Sequence, residues 1–172
     1  VYSSKSGFTE TYAQWIGQEL GSDVVKIKQA RAKDLRSYDA VIYGGGLYIS
    51  GIRGVRWLKR HLKGLDGKPV IVFATGASPP RPETIVKVRN KNFNAEQQRN
   101  IAFFYLRGGF DFRRLNPVDK GLMTLLKWRL LIKRRPNTDE RGMLSAYKRP
   151  QNFTKKDSIR PLIRHVRQLR SP

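Results

Sequence analysis

Within sixteen residues the chain passes from an apolar segment, through a hydroxyl- and glycine-rich loop, into an amphipathic stretch. Few folds open this way. Val1-Tyr2 reads as the end of a buried strand, and Ser3-Ser4-Lys5-Ser6-Gly7-Phe8-Thr9 as the loop. A helix is expected from Thr9 to Leu20, with Ser6 as N-cap and Thr9 three positions on. Ala13, Ile16 and Leu20 share one face, Tyr12 and Trp15 border it, and Gly21 ends it. Strand, turn, helix is the unit from which parallel sheets are built.

The unit recurs. Val24–Ile27 reads as a short strand, followed by a basic turn with Arg31, Lys33 and Arg36. Tyr38–Tyr43 reads as a buried strand running into Gly44-Gly45-Gly46, with a helix over Gly54–Leu62 after it. Asp66-Gly67 is a turn, and Val70–Ala74 is the clearest strand. Pro79, Pro80 and Pro82 keep the next loop extended before a helix from Glu83, and Asn94 with Gln97 predicts a capping box. Ile101–Leu106 is the fifth strand. Unbroken apolar runs suit strands covered on both faces, so the fold class is α/β: a three-layer, doubly wound, five-stranded parallel sheet. A helical insertion, about residues 107–153, precedes the last helix, Asp157–Leu169, for which Thr154 and Asp157 are candidate caps. The whole of 1–172 reads as one domain, its first strand begun before Val1.

Composition narrows the chemistry. Without cysteine there is no disulfide or thiolate site, and His61 and His165 fall in separate helical segments as surface residues, so no metal site is expected. No GxSxG or HExxH motif and no DNA-reading motif occurs. Phe103, Phe104 and Tyr105 read as core strand, and nucleic acid is not an expected partner. The net charge of +22, from 35 Lys+Arg against 13 Asp+Glu, calls for an anionic counterpart: lipid head groups, nucleic acid, an acidic protein or a carboxylate-bearing substrate, among which charge alone does not choose. The insertion carries a helix, Pro117–Arg134. Lys120, Thr124, Lys127 and Arg134 share one face, and Leu122, Met123, Leu125, Leu126 and Ile132 spread over much of the rest. Trp128 lies at the boundary and Arg129 within the apolar arc. That is the composition of a helix lying on an anionic membrane, too short and charged to span one. No signal peptide is evident, which suggests a cytoplasmic protein, peripheral on the inner membrane face.

Three loops meet at the carboxyl ends of such strands. In the first, the hydroxyls of Ser4, Ser6 and Thr9 and the amides of Lys5 to Thr9, Phe8 among them, are arranged to wrap a phosphate, with Gly7 allowing close backbone approach. In the second, Gly44 to Gly51, glycines such as Gly45 and Gly46 let backbone lie against a flat ring, with Leu47 or Tyr48 covering its face. The third runs from Thr75 through Gly76, Ala77 and Ser78 to Pro80. GxGxxG and GxxxxGK[ST] are absent.

The spacing Tyr2-x-Ser4-x-x-Gly7-x-Thr9-x3-Ala13-x2-Ile16 resembles the FMN-phosphate signature of the flavodoxin family. Together with Tyr38–Gly46 and Phe104–Asp111, it resembles one branch, the flavodoxin-domain proteins related to menaquinone-dependent protoporphyrinogen IX dehydrogenase. Leu115–Lys127, Asp139–Leu144 and Phe153-Thr154 look like that branch's insertion. The resemblance implies strand order 2-1-3-4-5 and FMN as cofactor. The first loop would take its phosphate, Leu47 or Tyr48 the isoalloxazine, and Thr75–Ser78 the pyrimidine edge. It further implies oxidation of a porphyrinogen with a membrane quinone as acceptor, the propionates meeting Arg107, Arg113 and Arg129. An FMN electron carrier without its own substrate is the alternative, and at +22 its partner would be acidic.

Overall fold

The computed structural model describes residues 1–31, 33–48, 50–65, 67–112, 117–132, 144 and 150–170. In chain order these form β1 (Tyr2–Ser3), α1 (Phe8–Leu20), β2 (Val41–Tyr48), β3 (Gly51–Ile52), α2 (Val55–His61) and β4 (Val70–Gly76). After them come α3 (Pro82–Asn92), α4 (Ala95–Arg99), β5 (Ile101–Arg107), β6 (Gly109–Phe110), α5 (Pro117–Ile132), β7 (Gln151–Asn152) and α6 (Arg160–Arg170).

The five-stranded sheet is mostly parallel, ordered β1-β2-β4-β5, with β3 antiparallel to the far end of β2. Val24–Ile27 does not form a full strand. It contributes one parallel bridge, Lys26 to Tyr2, on the outer side of β1. The order 2-1-3-4-5 is kept, with the second place thinned to that bridge. A segment that alternates Lys26, Ile27 and Lys28 carries the charges typical of a sheet edge.

Period-two alternation sends β4 to both faces at once. Val70, Val72 and Ala74 pack with Tyr43, Leu58, Val88 and Phe93 on the α2–α3 side. Ile71 and Phe73 pack with Tyr12, Ile16, Leu162 and Val166 on the α1–α6 side. Tyr12, expected at the border of the α1 stripe, is wholly buried. Its hydroxyl donates to Arg107 O (2.7 Å) and accepts from the Lys155 amide (3.2 Å), pulling the residue inward.

The largest departure is in β2. The strand starts at Val41 rather than Tyr38 and continues through Gly44-Gly45-Gly46 to Tyr48, where a loop was expected. The glycines are needed by the core. A Cβ on Gly44 would lie 2.1 Å from Phe73 Cζ, and one on Gly45 would lie 2.4 Å from Ile52 Cγ2. The last helix also starts differently. A tight 3-10 turn, Lys156–Ile159, precedes α6, and its N-cap, Lys155, makes no side-chain cap. Thr154 instead donates to Asn152 Oδ1 (2.9 Å), and Asp157 pairs with Arg160 (2.8 Å). The Asn94–Gln97 capping box forms at the start of α4. His61 and His165 are half-buried against Trp57 and Phe104 rather than exposed.

Candidate functional site

The β1–α1 loop closes on itself. Gly7, not Ser6, is the N-cap of α1, in the left-handed region at φ 90°. Its N–H donates to Ser4 Oγ (3.1 Å), and its carbonyl accepts the first helical bond, from Thr11 (2.9 Å). The first-turn amides of α1 have no intrahelical partner and carry the positive end of the helix dipole. Thr9 lies beneath this turn, buried, its hydroxyl sharing a hydrogen bond with Thr75 Oγ1 (2.6 Å). That bond locks the start of α1 to the carboxyl end of β4.

A cavity of about 430 Å³ opens beside the loop, at the carboxyl ends of the strands. Lys5, Ser6 and Phe8 line it from the first loop, Gly46, Leu47 and Tyr48 from β2, and Thr75 to Ser78 from the end of β4. The three segments singled out in the sequence therefore meet around one space of ligand size. Gly45 does not reach it. That residue is packed under Ile52 and the Arg53 carbonyl, so it serves the sheet and not a ligand face.

Other wall residues were not expected at the site. Gly108, Gly109, Phe110 and Asp111 follow β5, and Met123 reaches the cavity from α5. The Gly108 amide donates to Gly76 O (2.8 Å), joining the β4 and β5 ends. Tyr105, buried as expected for a core strand, also sends its hydroxyl to Ser78 O (2.9 Å). Burial holds that phenol protonated, its pKa pushed up to about 12. The pattern of a strand running into Gly108-Gly109 repeats the one at Gly44–Gly46 and was the available clue. Asn92 fixes the hairpin beside the mouth. Buried on α3, it accepts from the Ile52 amide (2.8 Å) and donates to Ser50 O (2.8 Å) and Val88 O (2.7 Å).

Two cations stand at the mouth. The Lys5 ammonium is held below its ordinary range, chiefly by burial and then by the nearby Arg53 guanidinium. A bound anion would relieve that repulsion. Arg107 is engaged elsewhere: its Nε donates to Ala77 O (3.1 Å), and its guanidinium lies 3.7 Å from the centre of the Phe153 ring. It braces the third loop and does not line the cavity. Arg113 and the side chain of Arg129 lie outside the described residues. A second hollow, about 280 Å³, opens at the opposite end of the sheet beside Val25, Tyr38 and Val41, and no glycine is among its lining residues.

The family model described as a flavodoxin domain matches residues 1–136. The chain belongs to the flavodoxin-domain family. A solved structure of a flavodoxin from the domain Archaea is similar at 16% identity, covering 86% of this chain and 93% of that one, with a TM-score of 0.47. No curated protein matches the sequence. The flavodoxin domain binds FMN, and the site fits that group: a hydroxyl-rich turn at a helix N-terminus, a ligand-sized cavity beside it, and flanking Leu47 and Tyr48.

Proposed function

We propose that this flavodoxin domain is an FMN-dependent oxidoreductase that takes hydrogens from protoporphyrinogen IX and delivers them to a quinone. The observation that carries this reading is the far wall of the cavity, built by Phe110, Asp111 and Met123 from outside the core sheet. A carrier needs only a flavin edge at the surface. A substrate-handling site needs a second wall.

Ser4 to Thr9 would hold the phosphate, Leu47 or Tyr48 one ring face, and the Thr75–Ser78 backbone the polar edge. Bound FMN supplies two-electron acceptance and release. The porphyrinogen loses its six hydrogens in three two-electron rounds, each pair reappearing on one quinone as quinol, so three quinones balance one porphyrin. The substrate's propionates suit Lys5 and Arg53, which line the mouth. This assigns them the role first expected of Arg107. Asp111, buried in the far wall, is the lining carboxylate that would take a proton in this reading.

The test is anaerobic. FMN-loaded protein is mixed with protoporphyrinogen IX, and visible flavin absorbance is followed with and without a menaquinone analogue. Bleaching, followed by quinone-dependent recovery and porphyrin formation, is the expected result. Arg53→Gln should raise KM about tenfold with little change in kcat, as loss of one charge-assisted contact predicts. A flavin that binds but ignores the porphyrinogen with every quinone overturns the proposal in favour of an electron carrier with an acidic partner.

A further inference from the structure

Among the described side chains of α5 the usual amphipathic order is reversed. Lys120, Met123, Thr124 and Lys127 are half-buried, with Met123 against the cavity. Leu125, Trp128, Leu131 and Ile132 face outward, 67, 62, 58 and 77% exposed. The spacing of Leu125, Trp128 and Ile132 places them along one stripe, with exposed Gly121 continuing it by a turn. A surface helix ordinarily turns its cations out and its leucines in. Neighbouring large apolar residues left in water mark a contact surface.

We propose that this stripe docks on an anionic lipid bilayer. Charge selects the occupant. Between Asp119 and Asp139 the sequence holds Lys120, Lys127, Arg129, Lys133, Arg134 and Arg135 and no acidic residue. The whole chain is at +22, so a second copy would bring an equal charge against it. An anionic surface instead gains from both terms, apolar insertion and counter-charge. Trp128 in the stripe suits the head-group boundary, where an amphipathic ring is favoured. Among the described residues no helix is long and apolar enough to cross a membrane, so the contact is peripheral. Met123 and the stripe lie on opposite sides of one helix, so docking would set the cavity about 10 Å from the lipid. A lipid-dissolved quinone would then have a short path to the site. That consequence rests on the redox reading, whereas the docking itself does not.

The experiment uses the full chain with vesicles of phosphatidylglycerol or phosphatidylcholine. Co-sedimentation with the anionic vesicles is expected, with binding to the zwitterionic ones at least tenfold weaker. A blue shift of tryptophan emission should accompany it and disappear in Trp128→Phe, which should still bind. Leu125→Glu with Ile132→Glu changes only exposed positions. It should lower anionic-vesicle binding at least tenfold while FMN titration is unchanged. Equal binding by that double variant overturns the proposal, as does a shift that survives Trp128→Phe. So does self-association abolished by the glutamates without any vesicle binding, which would make a second copy the occupant. Failure here leaves the porphyrinogen assay untouched, so the two readings fall separately.

Discussion

Gly7 holds a left-handed backbone, φ 90°, at the N-cap of α1, where an L side chain is strained by about 1–2 kcal/mol. Asn and Asp tolerate that region best, and they differ from each other by one charge. Gly7→Asn should therefore cost a little stability and weaken FMN binding mildly. Gly7→Asp should weaken it about 100-fold, because a new carboxylate within a few ångströms of a dianion costs several kcal/mol at surface dielectric. Fluorescence titration of FMN against both variants checks this, and near-equal affinities would place the phosphate elsewhere. Glu10 gives the pH limb. Its carboxyl is held below the usual range by the Tyr2 hydroxyl (2.5 Å) first and the Lys26 ammonium (3.1 Å) next. A depressed carboxyl adds stability above its unfolded pKa, about 4.3, and that stability is lost as pH falls through the folded value. The side chain is 39% exposed, so screening limits the gap to roughly 0.5 kcal/mol. Urea melts of Glu10→Gln should show that deficit at pH 7 and none at pH 3.

At the scale of elements, the β2–β3 hairpin depends on a helix far along the chain. Asn92 satisfies both the Ile52 amide and the Ser50 carbonyl, and Ser50 itself sits at φ 63°. Asn92→Leu keeps the volume and strands both groups, for a loss of about 1–3 kcal/mol. Faster hydrogen exchange at the Ile52 amide and weaker FMN binding should accompany it, since Tyr48 pairs with Gly51 at the cavity mouth. These elements also mark how much was legible beforehand. The β1–α1 turn and the third loop stood out because their chemistry is local: hydroxyls and glycines close to a helix start. The capping box of α4 was visible for the same reason. Gly44-Gly45-Gly46 misled because three glycines look like a turn, and what holds them extended is the Phe73 ring and Ile52. Tyr12 was placed at a border because its partners, Arg107 and Lys155, lie a domain away in sequence. Nothing near Met123 or Asp111 signals that the fold carries them to the same wall.

Over the whole molecule, the two sides of the sheet are completed by different parts of the chain. The buried residues of the α2–α3 side all lie between Leu35 and Tyr105, with Val1 and Ile27 packed against them. The α1–α6 side joins Tyr2, Tyr12 and Ile16 to Leu162, Ile163 and Val166. Leu162 is fully buried there, and Leu162→Ala should cost about 2–5 kcal/mol. The midpoint in urea measures it. Secondary-structure content should survive while exchange protection falls first in α1, because the opposite layer's core does not include Leu162. During synthesis the same division acquires a direction in time. One layer can close while the ribosome is still translating the last third, whereas Ile71, Phe73 and Leu106 have only α1 to cover them until α6 emerges. At about 5–20 residues per second that leaves the face half-covered for several seconds. A chaperone, or a premature stop before Ile159, would find its target on that face.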